Sequence, residues 1–176
     1  MITQDTALTA IPSGLRTPLL EEFCEIVRNF MERRWASIEL SGGRFCEIVY
    51  TILDGHARGA FITAPSKPAN FVDACRQLEK NANVPRSFQI LIPRLLPALY
   101  EIRNNRNVGH VGGDVDPDFM DSSAVLSMTS WIVAELVRVF HGVSTEEAQA
   151  VVNNLAERRL PLAWKSGDIR RVLNPT

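Results

Sequence analysis

The stretch TPLLEEFCEIVRNFMERRWASIEL, residues 17–40, decides the fold class. Within it Leu19, Phe23, Ile26, Val27, Phe30 and Met31 recur at three- and four-residue spacing, the period at which an α-helix stacks side chains on one face. Thr17 predicts an N-cap with Pro18 at the first helical position, where the missing N–H of proline has no intrahelical partner to lose. The helix is expected to run to about Leu40, with Ser41-Gly42-Gly43 as its break. Phe45, Ile48, Val49, Ile52, Leu53 and His56 then continue the same period to Gly59, which predicts an αα-hairpin.

The pattern extends in both directions from this hairpin. Residues 1–17 hold no sustained period and contain Pro12, Ser13 and Gly14, so they are expected as a partly ordered N-terminal arm. Ala60 to Ala69, with Pro65 and Pro68, reads as a loop, and Asn70 three residues before Asp73 predicts the cap of a short helix through Phe71, Cys75 and Leu78. After Pro85, Phe88, Leu91, Ile92, Leu95, Leu96, Leu99 and Ile102 are helically spaced, while Pro93 and Pro97 predict a kink or break. Asp116-Pro117 is expected to open the longest helix, through Met120, Ala124, Met128, Trp131, Ile132, Leu136 and Val139 to Gly142. Ser144 and Glu147 then predict a capping box for a helix through Ala148, Val151, Val152 and Leu155. Beyond Leu160 the period is lost, so 161–176 is expected as a C-terminal extension or the start of a further module. The expected architecture is an all-α bundle of about five or six helices over residues 18–160.

Composition narrows the function classes. The 176 residues are 45% hydrophobic and 22% charged, the balance of a folded globular chain. No run of eighteen apolar residues occurs, and Met1 to Asp5 lacks the basic start of a signal peptide, so a cytoplasmic protein without a membrane partner is expected. Cys24, Cys46 and Cys75 are widely spaced and contain no C-x-x-C pair, which predicts buried reduced thiols rather than a disulfide framework or zinc ribbon. A net charge of −1 gives no global attraction for a polyanion, so any nucleic-acid contact must be local. Lys67, Lys80 and Lys165 are the only lysines among nineteen basic residues. The remaining arginines suit phosphate and carboxylate recognition.

Chemistry concentrates in EIRNNRNVGH, residues 101–110. If the helix persists, Arg103, Arg106 and His110 share one face, with Asn104 and Asn107 as uncharged donors and acceptors beside them. Histidine can exchange a proton with a ribose 2′-OH or a leaving oxygen near neutral pH, and arginine can stabilise charge growing on a phosphate. That set suits RNA phosphodiester transfer without a metal. A single histidine serves poorly as both acid and base, so a two-fold homodimer abutting this stripe is expected. Glu47 is a candidate for orienting an arginine of the site, set against a solvent-facing position. Asp114-x-Asp116-x-Asp118 begins like a calcium loop, but Phe119 and Val125 stand where glycine and glutamate belong. Gly109 to Gly113 lacks the lysine of a phosphate-binding loop. No metal and no cofactor is therefore expected. His56 and His141 are expected as ordinary helix-end histidines.

Arg103, six residues that begin with Asn104, and then His110, set between two long helices, resembles the signature of the HEPN superfamily of nucleotide-binding helical domains, its abortive-infection-type members in particular. The resemblance implies a four-helix core, a homodimer, and metal-independent endoribonuclease activity on RNA in phage-defence or toxin systems. Arg103 and His110 would then be catalytic, with an antitoxin or regulatory domain as a further partner. The same resemblance allows a non-catalytic dimerisation or nucleotide- or RNA-binding module of a larger protein. The residues alone also allow Arg103 and Arg106 to pair with Glu101, Asp114 or Asp116.

Overall fold

The helical period is realised as six α-helices, and the computed structural model describes residues 6–105, 115–158, 163–166 and 169–172. They are α1 (Ser13–Met31), α2 (Trp35–Arg58), α3 (Phe71–Leu78), α4 (Ile92–Asn105), α5 (Phe119–His141) and α6 (Thr145–Arg158). The chain is thus an all-α bundle with one small addition: β1 (Ala163–Ser166) and β2 (Ile169–Val172) pair antiparallel, with Trp164 opposite Arg171. This hairpin occupies the segment where helical periodicity fades.

All six helices contribute buried side chains to one core. α2 is central and packs on α1, α4 and α5, while α3 lies against α2 and α4, and α6 against α5 and α1. Most of each stripe anticipated from spacing is buried, Leu19, Phe23 and Ile26 of α1, Phe45, Val49 and Ile52 of α2, Leu96 and Leu99 of α4, Ile132 and Leu136 of α5, whereas Met31, Leu91, Met120 and Trp131, expected on the same stripes, are exposed. Asn70 caps α3 by accepting the Asp73 N–H at 3.1 Å. Ser144 and Glu147 form both halves of their capping box, at 3.2 and 3.0 Å. By length and composition α5 is apolar enough to cross a membrane, with a mean hydropathy of 1.4 over its best window, yet it packs against α1, α2, α4 and α6.

Three boundaries differ from expectation. α1 begins at Ser13, and Ala7, Leu8 and Ile11 are buried, so residues 6–17 belong to the packed body rather than to an arm. Pro12 starts the helix by accepting from Leu15 and Arg16, each at 2.9 Å, and Pro18 lies inside it. The hairpin turn falls at Glu32 to Arg34, not at Ser41-Gly42-Gly43. Arg33 adopts φ 56°, its N–H reaches the Phe30 carbonyl at 3.1 Å, and the Arg34 N–H reaches Asn29 at 2.8 Å. This is the Schellman closure of a helix with arginine where glycine is usual. Gly42 instead sits mid-helix, where an added Cβ would lie 3.2 Å from the Val125 methyl of α5. Its smallness serves helix packing. Finally, α5 is capped by Asp118, which accepts from the Asp121 N–H at 2.9 Å, rather than by Asp116.

The proline-rich fourth helix is not broken. A π-turn over Ser87–Leu91 leads directly into α4, with the Ile92 N–H bonded back to the Ser87 carbonyl. The wider turn lies immediately before Pro93, whose ring would crowd the carbonyl four residues back in a regular α-turn.

Candidate functional site

α2 and α4 run antiparallel, as successive contacts show: His56 meets Phe88 at 5.2 Å between ring centroids, the Cys46 thiol lies 3.7 Å from the Leu96 carbonyl, and the Tyr100 hydroxyl donates to Glu47 Oε1 at 3.0 Å. That register brings the start of α2 level with the end of α4. Arg103 and Asn104, the first two residues of the proposed motif, occupy the last turn of α4. The backbone of Arg103 is placed there; its side chain lies outside the described residues, as do Arg106, Asn107 and His110. Glu39 of α2, near this level, is a buried carboxylate with 1% exposure.

Beside that last turn an open cleft of about 450 Å³ runs between α4 and the loop entering α3. One wall presents Pro97, Tyr100, Glu101 and Asn104, positions three and four apart and therefore one face of α4. Lys67, Asn70 and Val72 belong to the other. Phe71 stacks on Tyr100 at 4.5 Å with an interplanar angle of 22°, so α3 is locked to α4 under the cleft.

The loop itself is held by a buried hydroxyl. Thr51 Oγ1 accepts the Ser66 N–H at 3.0 Å and donates to the Glu47 carbonyl at 2.8 Å. Lys67 follows, with Nζ 3.9 Å from Glu47 Oε1 and 5.9 Å from the centre of the Tyr100 ring. Its side chain remains 61% exposed, so the ammonium is positioned without being buried. Glu47 is thus partly buried, and its described partners are Tyr100 and Lys67. The sequence pointed to Glu47 and Asn104, but not to Lys67, Phe71 or Tyr100. The face 97, 100, 101, 104 was present in the spacing; no local signal joins it to a loop thirty residues earlier.

The other histidines have structural surroundings. His56 sits edge-on to Phe88 and Phe140, at 5.2 and 5.3 Å, and burial lowers its pKa. His141 Nε2 accepts the Leu8 N–H at 2.8 Å, tying the N-terminal segment to the end of α5. Among the described residues no group of three His, Cys, Asp or Glu side chains is arranged to hold a metal. All three cysteines are free and buried.

No known protein family, curated protein or solved structure matches the chain. The functional reading therefore rests on the motif, the bundle and the cleft.

Proposed function

We propose that the chain is a metal-independent endoribonuclease of HEPN type, active as a cytoplasmic homodimer in phage defence or a toxin system. His110 moves the proton of the ribose 2′-OH or of the leaving 5′-oxygen, and Arg103 carries the charge that builds on the phosphate, supported by Asn104, Arg106 and Asn107. Attack of the 2′-oxygen on phosphorus breaks the P–O5′ bond and leaves a 2′,3′-cyclic phosphate and a 5′-hydroxyl. DNA lacks the attacking hydroxyl and is spared.

The observation that carries this reading is the position of Arg103-Asn104 in the last turn of a core helix, with Asn104 lining an open cleft that holds a lysine. The homodimer is supported by apolar surface at the same end of the bundle. There Phe30, Trp35 and Phe119 form a ring cluster with centroids 5.8 to 6.0 Å apart, and Met31, Phe119 and Met120 are 62%, 57% and 74% exposed. Contiguous exposed apolar side chains of this kind favour association. Symmetry would supply the second histidine that acid–base catalysis needs.

The test is incubation of the purified protein with RNA in EDTA, followed by end-group determination. Cleavage to cyclic phosphate ends is expected, lost in His110→Ala and Arg103→Ala with the helical signal intact. Equal cutting by the parent and either variant overturns the assignment.

A further inference from the structure

Apart from Asn104, the residues lining the cleft between α4 and the loop at Lys67 have no role in the bond-breaking chemistry above, yet the cleft opens on the turn that bears Arg103. Its volume, about 450 Å³, is within the range of small-ligand sites, roughly 300–1,000 Å³. Its walls are fixed from behind: Tyr100 by Glu47, Phe71 by Tyr100, and the Lys67 backbone by its neighbour Ser66 on buried Thr51. A cleft that need not be ordered on binding loses little entropy when it is filled. Among the described residues Lys67 is the one cation on its lining, held by a long 3.9 Å contact that a phosphate oxygen can displace. Pro68, Ala69, Val72 and Pro97 supply an apolar surface on which an unstacked base can lie, and Asn104 adds an amide with both donor and acceptor atoms.

We propose that this cleft is a nucleotide subsite: it takes one single-stranded ribonucleotide next to the scissile link, with the adjoining phosphate on Lys67 and the nucleoside between Ala69 and Asn104. The proposal rests on the endoribonuclease reading and names what that site grips beyond the reacting bond. The acidic side chains Glu47 and Glu101 border the cleft, which restricts it to a single phosphate rather than a track of several.

Binding is measured on the full chain carrying His110→Ala, with a short fluorescent oligoribonucleotide, by anisotropy over a series of salt concentrations. Lys67→Gln is expected to weaken binding several-fold and to flatten the log K against log salt slope by about 0.7, one phosphate contact on a single strand. Lys67→Arg should restore most of the slope. Ala69→Trp, at an exposed position, should block the cleft and weaken binding at unchanged thermal stability. If Lys67→Gln and Ala69→Trp bind with the affinity and slope of their parent, the subsite is refuted even where the wild-type protein cleaves RNA. If the wild type does not cleave but binding depends on Lys67 and Ala69 as stated, the cleft stands as a nucleotide site without a scissile link beside it, and the nuclease reading falls. Absence of RNA binding by the His110→Ala protein overturns the subsite outright.

Discussion

Replacing Gly14 by alanine sets helix propensity against packing, and the structure decides the sign. Gly14 is in the first turn of α1, where alanine would ordinarily gain up to about 1 kcal/mol over glycine. A Cβ built there, however, overlaps the carbonyl oxygen of Thr63 and stands 3.0 Å from its carbonyl carbon. Carbon atoms in contact prefer about 3.5–4.0 Å, so the turn and the loop must part by roughly 1 Å. The obstacle is backbone on both sides, with no flexible side chain to yield. Overpacking of this kind costs about 1–3 kcal/mol, which exceeds the propensity gain, particularly in a first turn whose N–H groups lack intrahelical partners. The expected net loss is about 1–2 kcal/mol, and for a chain of this size a fall in Tm of about 2–8 °C followed by far-ultraviolet dichroism. Gly42→Ala is the control. Its methyl would meet only the Val125 side chain, at 3.2 Å, so a change within about 1 kcal/mol is expected. A Gly14→Ala protein as stable as its parent would refute the close approach of α1 to the loop that carries Lys67.

Four other outcomes follow from the same contacts. Arg33→Gly removes the cost of an L-residue at φ 56° and should raise unfolding free energy by about 0.5–1 kcal/mol in a urea titration; destabilisation would argue against the Glu32–Arg34 turn. Asn70→Ala and Asp118→Ala each delete a cap and should cost about 1 kcal/mol in the same titration. Burial raises the thiols of Cys46 and Cys75, the latter to about 12, so Ellman's reagent should find no reactive thiol in the native protein and all three after unfolding. His56 prefers its neutral form in the fold, so below its usual 6.5 the unfolded chain takes up a proton that the native state resists. Stability should therefore be full above about pH 6.5 and decline as pH falls toward the lowered native value, and His56→Leu should flatten that part of the profile; an unchanged slope would refute the burial of this ring.

Much of the fold was legible because its punctuation is local. Asn70, Gly142 and the Ser144–Glu147 pair each act within one turn of chain, and the structure uses them as read. The misplaced hairpin turn shows where local reading fails. Glycine is favoured both where φ is positive and where helices approach closely, and the sequence cannot tell these uses apart: Gly42 has the second, while Arg33 takes the positive φ. Pro93 and Pro97 were legible as a disturbance, but the π-turn over Ser87–Leu91 that accommodates it, with Phe88 buried within it, was not. The same division holds at the candidate site. Asn104 lies within about two turns of the other residues on its α4 face and was accessible from spacing, whereas Lys67 is brought to that face by Thr51, Ser66 and the approach of Gly14 to Thr63. Each link spans a dozen or more residues and leaves no periodic trace. A motif of a few side chains can therefore nominate the reacting centre, while the groups that would give it grip on a substrate come from tertiary closure. For this reason the Lys67 and Ala69 variants test the site more sharply than further substitutions within 101–110: they probe a surface that exists only if the helices meet as described.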